Sequence, residues 1–154
     1  MAKLSKKKKW VAIILLAALI AVVLGFALYL HQEKQERAGL NAEETMALYM
    51  ERWQDQEYLA MVNMWYLSTF RKIYGEGFLL ISDFRDEKVT GVISIEKNTI
   101  QKDAIFRYKG YDQARCTVRY QVLYQGKYYY HKITYVMVQP KEGGIWYIEG
   151  IAKG

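Results

Sequence analysis

The chain has 154 residues, about one domain's worth, and a formal net charge of +6. Five of its 22 basic side chains (Lys3, Lys6, Lys7, Lys8, Lys9) fall in the first ten residues, which leaves 17 bases against 16 acids. A body so close to neutral argues against a nucleic-acid-binding domain, which needs a basic surface. A single cysteine excludes an intrachain disulfide and an ordinary cysteine-based zinc site. With two histidines and no nucleotide-binding or metal-binding motif, no cofactor is expected.

Trp10 to Leu30 is a run of 21 residues without a charge, mostly Ala, Val, Ile and Leu. As a helix it would be about 31 Å long, close to the thickness of a bilayer's hydrocarbon core. Leu15, Leu19 and Val23 lie within it, and Trp10 and Tyr29 stand near its ends, where amphipathic rings favour the interface. Lys6, Lys7, Lys8 and Lys9 flank only the N-terminal side, which predicts a cytoplasmic N-terminus and a body outside the cell membrane. A cleaved secretory signal is the competing reading. Signal peptides have shorter apolar cores and a small-x-small cleavage site. Here Phe26 to His31 offers no Ala-x-Ala, and no cysteine follows that would mark a lipoprotein. The expectation is therefore a basic tail over 1–9, an uncleaved single-pass span over 10–30 and a polar stalk over 31–40. Glu33 and Arg37 in that stalk have helical pair spacing, so the helix should continue beyond the membrane.

From residue 41 the pattern becomes that of a small folded domain. Asn41 with Glu44 three residues on has the form of a capping box. Ala42, Met46, Tyr49, Met50 and Trp53 then recur at helical spacing. Asp55 is placed to cap a second helix, with Tyr58, Met61, Val62 and Trp65 on one side. A short third helix is expected from Ser68 or Thr69 to the Gly75-Glu76-Gly77 stop. After it the period falls to two. Phe78–Phe84 and Lys88–Glu96 read as short strands. Ala114–Tyr124 is the clearest one, with Ala114, Cys116, Val118, Tyr120, Val122 and Tyr124 on one face and Arg115, Thr117, Arg119 and Gln121 on the other. Gln125-Gly126 has the length of a tight hairpin turn. The return strand is Tyr128–Val138, and Ile145–Ala152 is the last. Helices first and antiparallel strands afterwards argue an α+β fold, with two or three helices packed on a curved sheet over 41–154.

This order of elements resembles the nuclear-transport-factor-2-like cone fold. The stretch from Met50 to Met61 is similar to the extra N-terminal domain of methicillin-resistance-type penicillin-binding proteins. So is Gly144-Ile145-Trp146-Tyr147-Ile148, where a tryptophan follows a glycine turn. By architecture (one N-terminal anchor, a cytoplasmic tail and an external cone) the chain also looks like the bitopic assembly factor of type IV secretion and conjugation systems. That resemblance implies a non-catalytic domain acting through contacts with copies of itself and with other envelope proteins.

Cone folds of this superfamily can also be enzymes, with a cavity histidine or carboxylate as general base. His131 is the candidate base, but a catalytic pair would need one of Asp83, Asp86, Glu87, Asp103 or Asp112 beside it; the simpler reading is a histidine at the sheet surface. The 14 tyrosines concentrate in the strands. Three consecutive ones, Tyr128, Tyr129 and Tyr130, require that both sheet faces carry tyrosine. Interfaces favour such rings, so Tyr128 and Tyr130, with Arg115 and Arg119 on the neighbouring strand, form the candidate contact surface. Trp53, Trp65 and Trp146 read as core, and Cys116 as a buried, inert thiol. The primary expectation is a membrane-anchored binding or assembly module whose partners are the lipid bilayer, other envelope proteins and copies of itself, and not nucleic acid. The alternatives are a tethered ligand-binding or enzymatic cone, and an accessory subunit acting mainly through its transmembrane helix.

Overall fold

A computed structural model describes residues 6–66, 87–99, 110–140 and 144–152. The chain forms two compact units, Met1–Glu36 and Arg37–Gly154. The first unit is built on helix α1, Lys6–Arg37, which runs for 32 residues or about 48 Å. Its uncharged run makes it long and apolar enough to cross a membrane, a property shared by anchors and signal sequences. Trp10, Leu15, Leu19, Val23 and Tyr29 all lie exposed on it, as does Lys9. The helix passes through the polar stretch after Leu30, as the Glu33/Arg37 spacing suggested.

The second unit is α+β, with a four-stranded antiparallel sheet. Helix α2, Ala42–Gln54, opens on the anticipated capping box: Glu44 N donates to Asn41 Oδ1 at 3.0 Å, and Asn41 N donates to Glu44 Oε2 at 2.7 Å. Ala42, Met46, Tyr49, Met50 and Trp53 are all buried. The end of this helix corrects the role expected of Asp55. That residue is the C-cap of α2, and its N–H still bonds Glu51 O. Gln56, in the left-handed region at φ 64°, then turns the chain. Helix α3, Tyr58–Asn63, opens at Glu57, two residues after Asp55, without a side-chain cap. It also ends earlier than expected, so Trp65 is not helical but forms an isolated bridge with Ile148. The expected third helix at Ser68 and the strand at Phe78–Phe84 fall outside the described residues.

Strands β1 (Lys88–Thr99), β2 (Asp112–Tyr124), β3 (Lys127–Gln139) and β4 (Tyr147–Ile151) lie in chain order in one sheet. The β2–β3 turn is the two-residue one expected. Gln125 at φ 48° and Gly126 at φ 76° are both left-handed, as a type I′ turn requires. Counting back from that turn fixes the whole register, from Tyr124 opposite Lys127 to Asp112 opposite Gln139. β1 carries two irregularities, at Val89/Gly91 and Val92/Ser94. Such bulges bend a strand and sharpen its local twist.

The core lies between α2 and one face of this sheet. Val89, Ala114, Cys116, Val118, Tyr120, Val122, Tyr135, Met137 and Ile148 supply the sheet side. Tyr49 packs edge-on against Tyr135 with centroids 5.8 Å apart, and Trp53 lies 5.4 Å from Tyr120. Trp53 also donates its indole N–H to Glu87 O at 3.1 Å. Trp53, Trp65 and Trp146 are buried, as expected. The opposite face is buried too at the end of the hairpin away from its turn: Gln113, Thr117, Val136 and Val138 are all buried there, and the Thr117 hydroxyl pairs with that of Thr134 at 2.9 Å.

β4 closes the unit. Ile148 N donates to Met64 O at 2.8 Å, and Tyr66 N donates to Ile148 O at 2.7 Å. The Arg37 side chain, 2 % exposed, donates to Trp146 O at 2.6 Å and to Asn63 O at 3.1 Å. Its guanidinium stands 4.8 Å from the centre of the Tyr147 ring. The first residue of the unit is thereby tied to its last strand.

Candidate interaction surface

The strand alternation puts all four candidate contact residues on the open face of the sheet, away from α2. Tyr128 and Tyr130 are 61 % and 72 % exposed. Tyr130 stands opposite Gln121 and accepts a hydrogen bond from its amide Nε2 at 3.0 Å. Gln121 Oε1 in turn accepts from Thr90 Oγ1 at 3.0 Å, so one polar rung crosses three strands. Arg119 lies one rung further along, and Arg115 is four residues beyond it, about 13 Å away. The patch is thus assembled as a single face.

Register adds two cations that the strand pattern had not singled out. Lys132 stands directly opposite Arg119, and Lys88 opposite Leu123, beside Tyr128. Like charges placed opposite each other on a sheet are destabilising. Among the described residues the side chains of Lys88, Arg115, Arg119 and Lys132 make no hydrogen bond or ion pair. The signal for Lys132 was present, since a two-residue turn at Gln125-Gly126 already implies its pairing with Arg119. Glu96, opposite Thr117, is an acid on this face.

The remaining candidates lie elsewhere. Tyr129 points to the other face, where its ring meets Tyr124 at 6.4 Å, so tyrosine does occupy both faces. His131 stacks on the Tyr120 ring at 5.5 Å. No carboxylate lies within hydrogen-bonding or ion-pair distance of it among the described residues. Asp112 sits at the start of β2, eight residues or about 27 Å from the His131 partner Tyr120. Asp83, Asp86 and Asp103 fall outside the described residues. Burial pushes the hydroxyls of Tyr49, Tyr120 and Tyr135 well above the ordinary tyrosine range. Burial, reinforced by the Glu43 carboxylate, pushes the Cys116 thiol up to about 11. A thiol held protonated is a poor nucleophile. The reactive groups of the core are therefore kept neutral and inside, while the unpaired charge is kept outside. No family model, curated protein or solved structure matches the chain.

Proposed function

We propose that the protein is a non-catalytic binding or assembly module of a bacterial cell-envelope complex, held by residues 10–30 as an uncleaved membrane anchor. The lysine end is cytoplasmic in this reading and the Arg37–Gly154 unit extracytoplasmic. The observation that carries the reading is the open sheet face, where Arg115, Arg119, Lys132 and Lys88 stand unpaired among exposed tyrosines. Four exposed cations without partners gain nothing for the fold, whereas tyrosine and arginine are the side chains that concentrate binding energy at interfaces. The burial of Cys116 and of the three core tyrosines supports a body built for contact and not for reaction. The order of helices and meander supports the cone resemblance. The single anchor with one small domain supports a place in a secretion or conjugation channel.

Crosslinking in intact membranes, followed by identification of the attached proteins, tests this function. Adducts with envelope proteins are expected, and Arg119→Ala with Tyr130→Ala should diminish them several-fold. Unchanged adducts in that double variant would remove the sheet face from the reading. Protease added to spheroplasts should degrade the C-terminal unit and spare the lysine end; the opposite pattern would reverse the topology. Mature protein beginning near residue 30 would refute the anchor.

A further inference from the structure

The C-terminal unit carries a second charged surface. Glu44, Ala47, Glu51 and Asp55 follow one another along the exposed side of α2, opposite Met46, Tyr49, Met50 and Trp53. Glu57 continues the acidic line past the helix end. The one base of α2, Arg52, is turned inward and donates to Ala60 O at 3.4 Å. Because α2 packs on the core face of the sheet, its acidic stripe and the basic open face lie on opposite sides of the unit. Among the described residues, the unit thus presents a basic sheet face and an acidic helix side.

We infer that the open sheet face of one copy receives the acidic α2 stripe of a second copy, in a head-to-tail contact. This rests on the reading of the unit as a binding module and names its partner. Charge decides the geometry. A two-fold dimer through either surface would set like charge on like, Arg119 and Lys132 against themselves or Glu51 against itself. A heterologous contact sets opposite charges together, and each copy then keeps one surface of each sign free for the next. The dimensions agree: Arg115 to Arg119 spans about 13 Å of strand, and Glu44 to Glu51 spans about 10 Å of helix. Tyr128 and Tyr130 supply exposed ring surface on which a helix can lie, and Ala47 leaves the middle of the stripe unobstructed. A foreign acidic protein or an anionic lipid would account for the basic face but would leave the exposed Glu51, Asp55 and Glu57 carboxylates without a counterpart.

The exposed rungs, from Arg119 and Lys132 to Leu123 and Tyr128, run for about 14 Å across three strands and offer on the order of 200 Å², about a quarter of what one side of a standard interface buries. Each contact is therefore weak and salt-sensitive, and copies confined to a membrane are the setting in which it forms. The test uses the full chain in phosphatidylcholine vesicles, with Gln121→Cys and Ala47→Cys added as reporters; buried Cys116 stays in place. Mild oxidation at low salt should give a ladder of dimers, trimers and longer species, reduced several-fold at high salt. Arg119→Glu with Lys132→Glu should cut the ladder about tenfold, as should Glu51→Lys with Asp55→Lys. All four reversals in one chain should restore it to within about twofold, which a merely misfolded variant would not do. Absence of a ladder, or a ladder indifferent to both reversals, would overturn the head-to-tail contact. So would loss on reversing the sheet but not the helix. If the sheet reversal also abolished binding to vesicles containing phosphatidylglycerol, the partner would be lipid. Adducts with other envelope proteins that survive the helix reversal would leave the binding-module reading standing without self-association. Loss of every adduct-forming property of the sheet face would remove both.

Discussion

Arg37 is the residue on which the closure of the C-terminal unit depends most directly. Its buried guanidinium donates to two main-chain carbonyls, at 2.6 Å to Trp146 and 3.1 Å to Asn63, and sits over the Tyr147 ring. A hydrogen bond from a charged donor contributes about 1.5–3 kcal/mol, and a desolvated cation over an aromatic ring about 2 kcal/mol. Against these stands the desolvation of the guanidinium itself, several kcal/mol, which Arg37→Ala would recover. What alanine cannot recover is the solvation of the buried carbonyls or the volume left empty. The expected net loss for Arg37→Ala is about 3 kcal/mol, and for Arg37→Met, which fills the volume but donates nothing, about 2 kcal/mol. Arg37→Lys keeps the charge but has no planar fork to span both carbonyls, and should lose about 1 kcal/mol. Urea unfolding of the full chain in detergent, followed by tryptophan fluorescence and near-ultraviolet circular dichroism, reads these values. Stability of Arg37→Ala within 0.5 kcal/mol (about the scatter of a neutral surface change) would refute the clamp.

Alkaline pH should unfold the unit through its buried hydroxyls. Their folded pKa values are raised, so their contribution is complete below pH 10 and is lost above it, where only the unfolded chain ionises. At pH 11 the loss is about 1.4 kcal/mol per buried tyrosine, and Tyr135→Phe should shrink the difference between pH 8 and pH 11 by one such step; an unchanged difference would contradict its burial. Cys116 should resist thiol reagents at pH 8 in the folded protein and react at once in denaturant, and rapid native labelling would show the site to be open. Asn41→Ala should cost about 1 kcal/mol through loss of the capping box, while Asp55→Ala should cost less than half of that because Asp55 caps no helix N-terminus. Equal costs in urea unfolding would restore the capping role assigned to Asp55 by its position in the sequence.

Much of this architecture was legible from residue order, because local patterns determined it. An uncharged run from Trp10 to Leu30 has one economical conformation, the helix. Asn41 and Glu44 reveal a helix start because both partners of the capping box lie within one turn. The strict alternation from Ala114 to Tyr124 and the two-residue turn after it determine a hairpin and its register together. Asp55 was misassigned because a carboxylate between two helices suits the end of one or the start of the next. The left-handed backbone at Gln56, which nothing in its side chain announces, decides between them. Val92 and Ile93 both look like strand residues, so the β1 bulges leave no mark in a period-two pattern. Arg37 was legible only as a stalk residue, since its partners Asn63 and Trp146 lie 26 and 109 positions away. The open-face patch was half legible: Tyr128, Tyr130, Arg115 and Arg119 followed from alternation. Lys88 needed the β1 register, and the acidic stripe became meaningful only once α2 was seen on the far side of the sheet.

The stretch from Trp146 to Ile148 holds together segments that are remote along the chain: residues 64–66 through Ile148, and Arg37 through Trp146 and the Tyr147 ring. Trp146 lies 109 positions from Arg37, so this closure is long-range, and its loop-closure cost must be met before the contacts reward the chain. The β2–β3 hairpin, whose partners are local, is therefore expected to form before 146–148 docks.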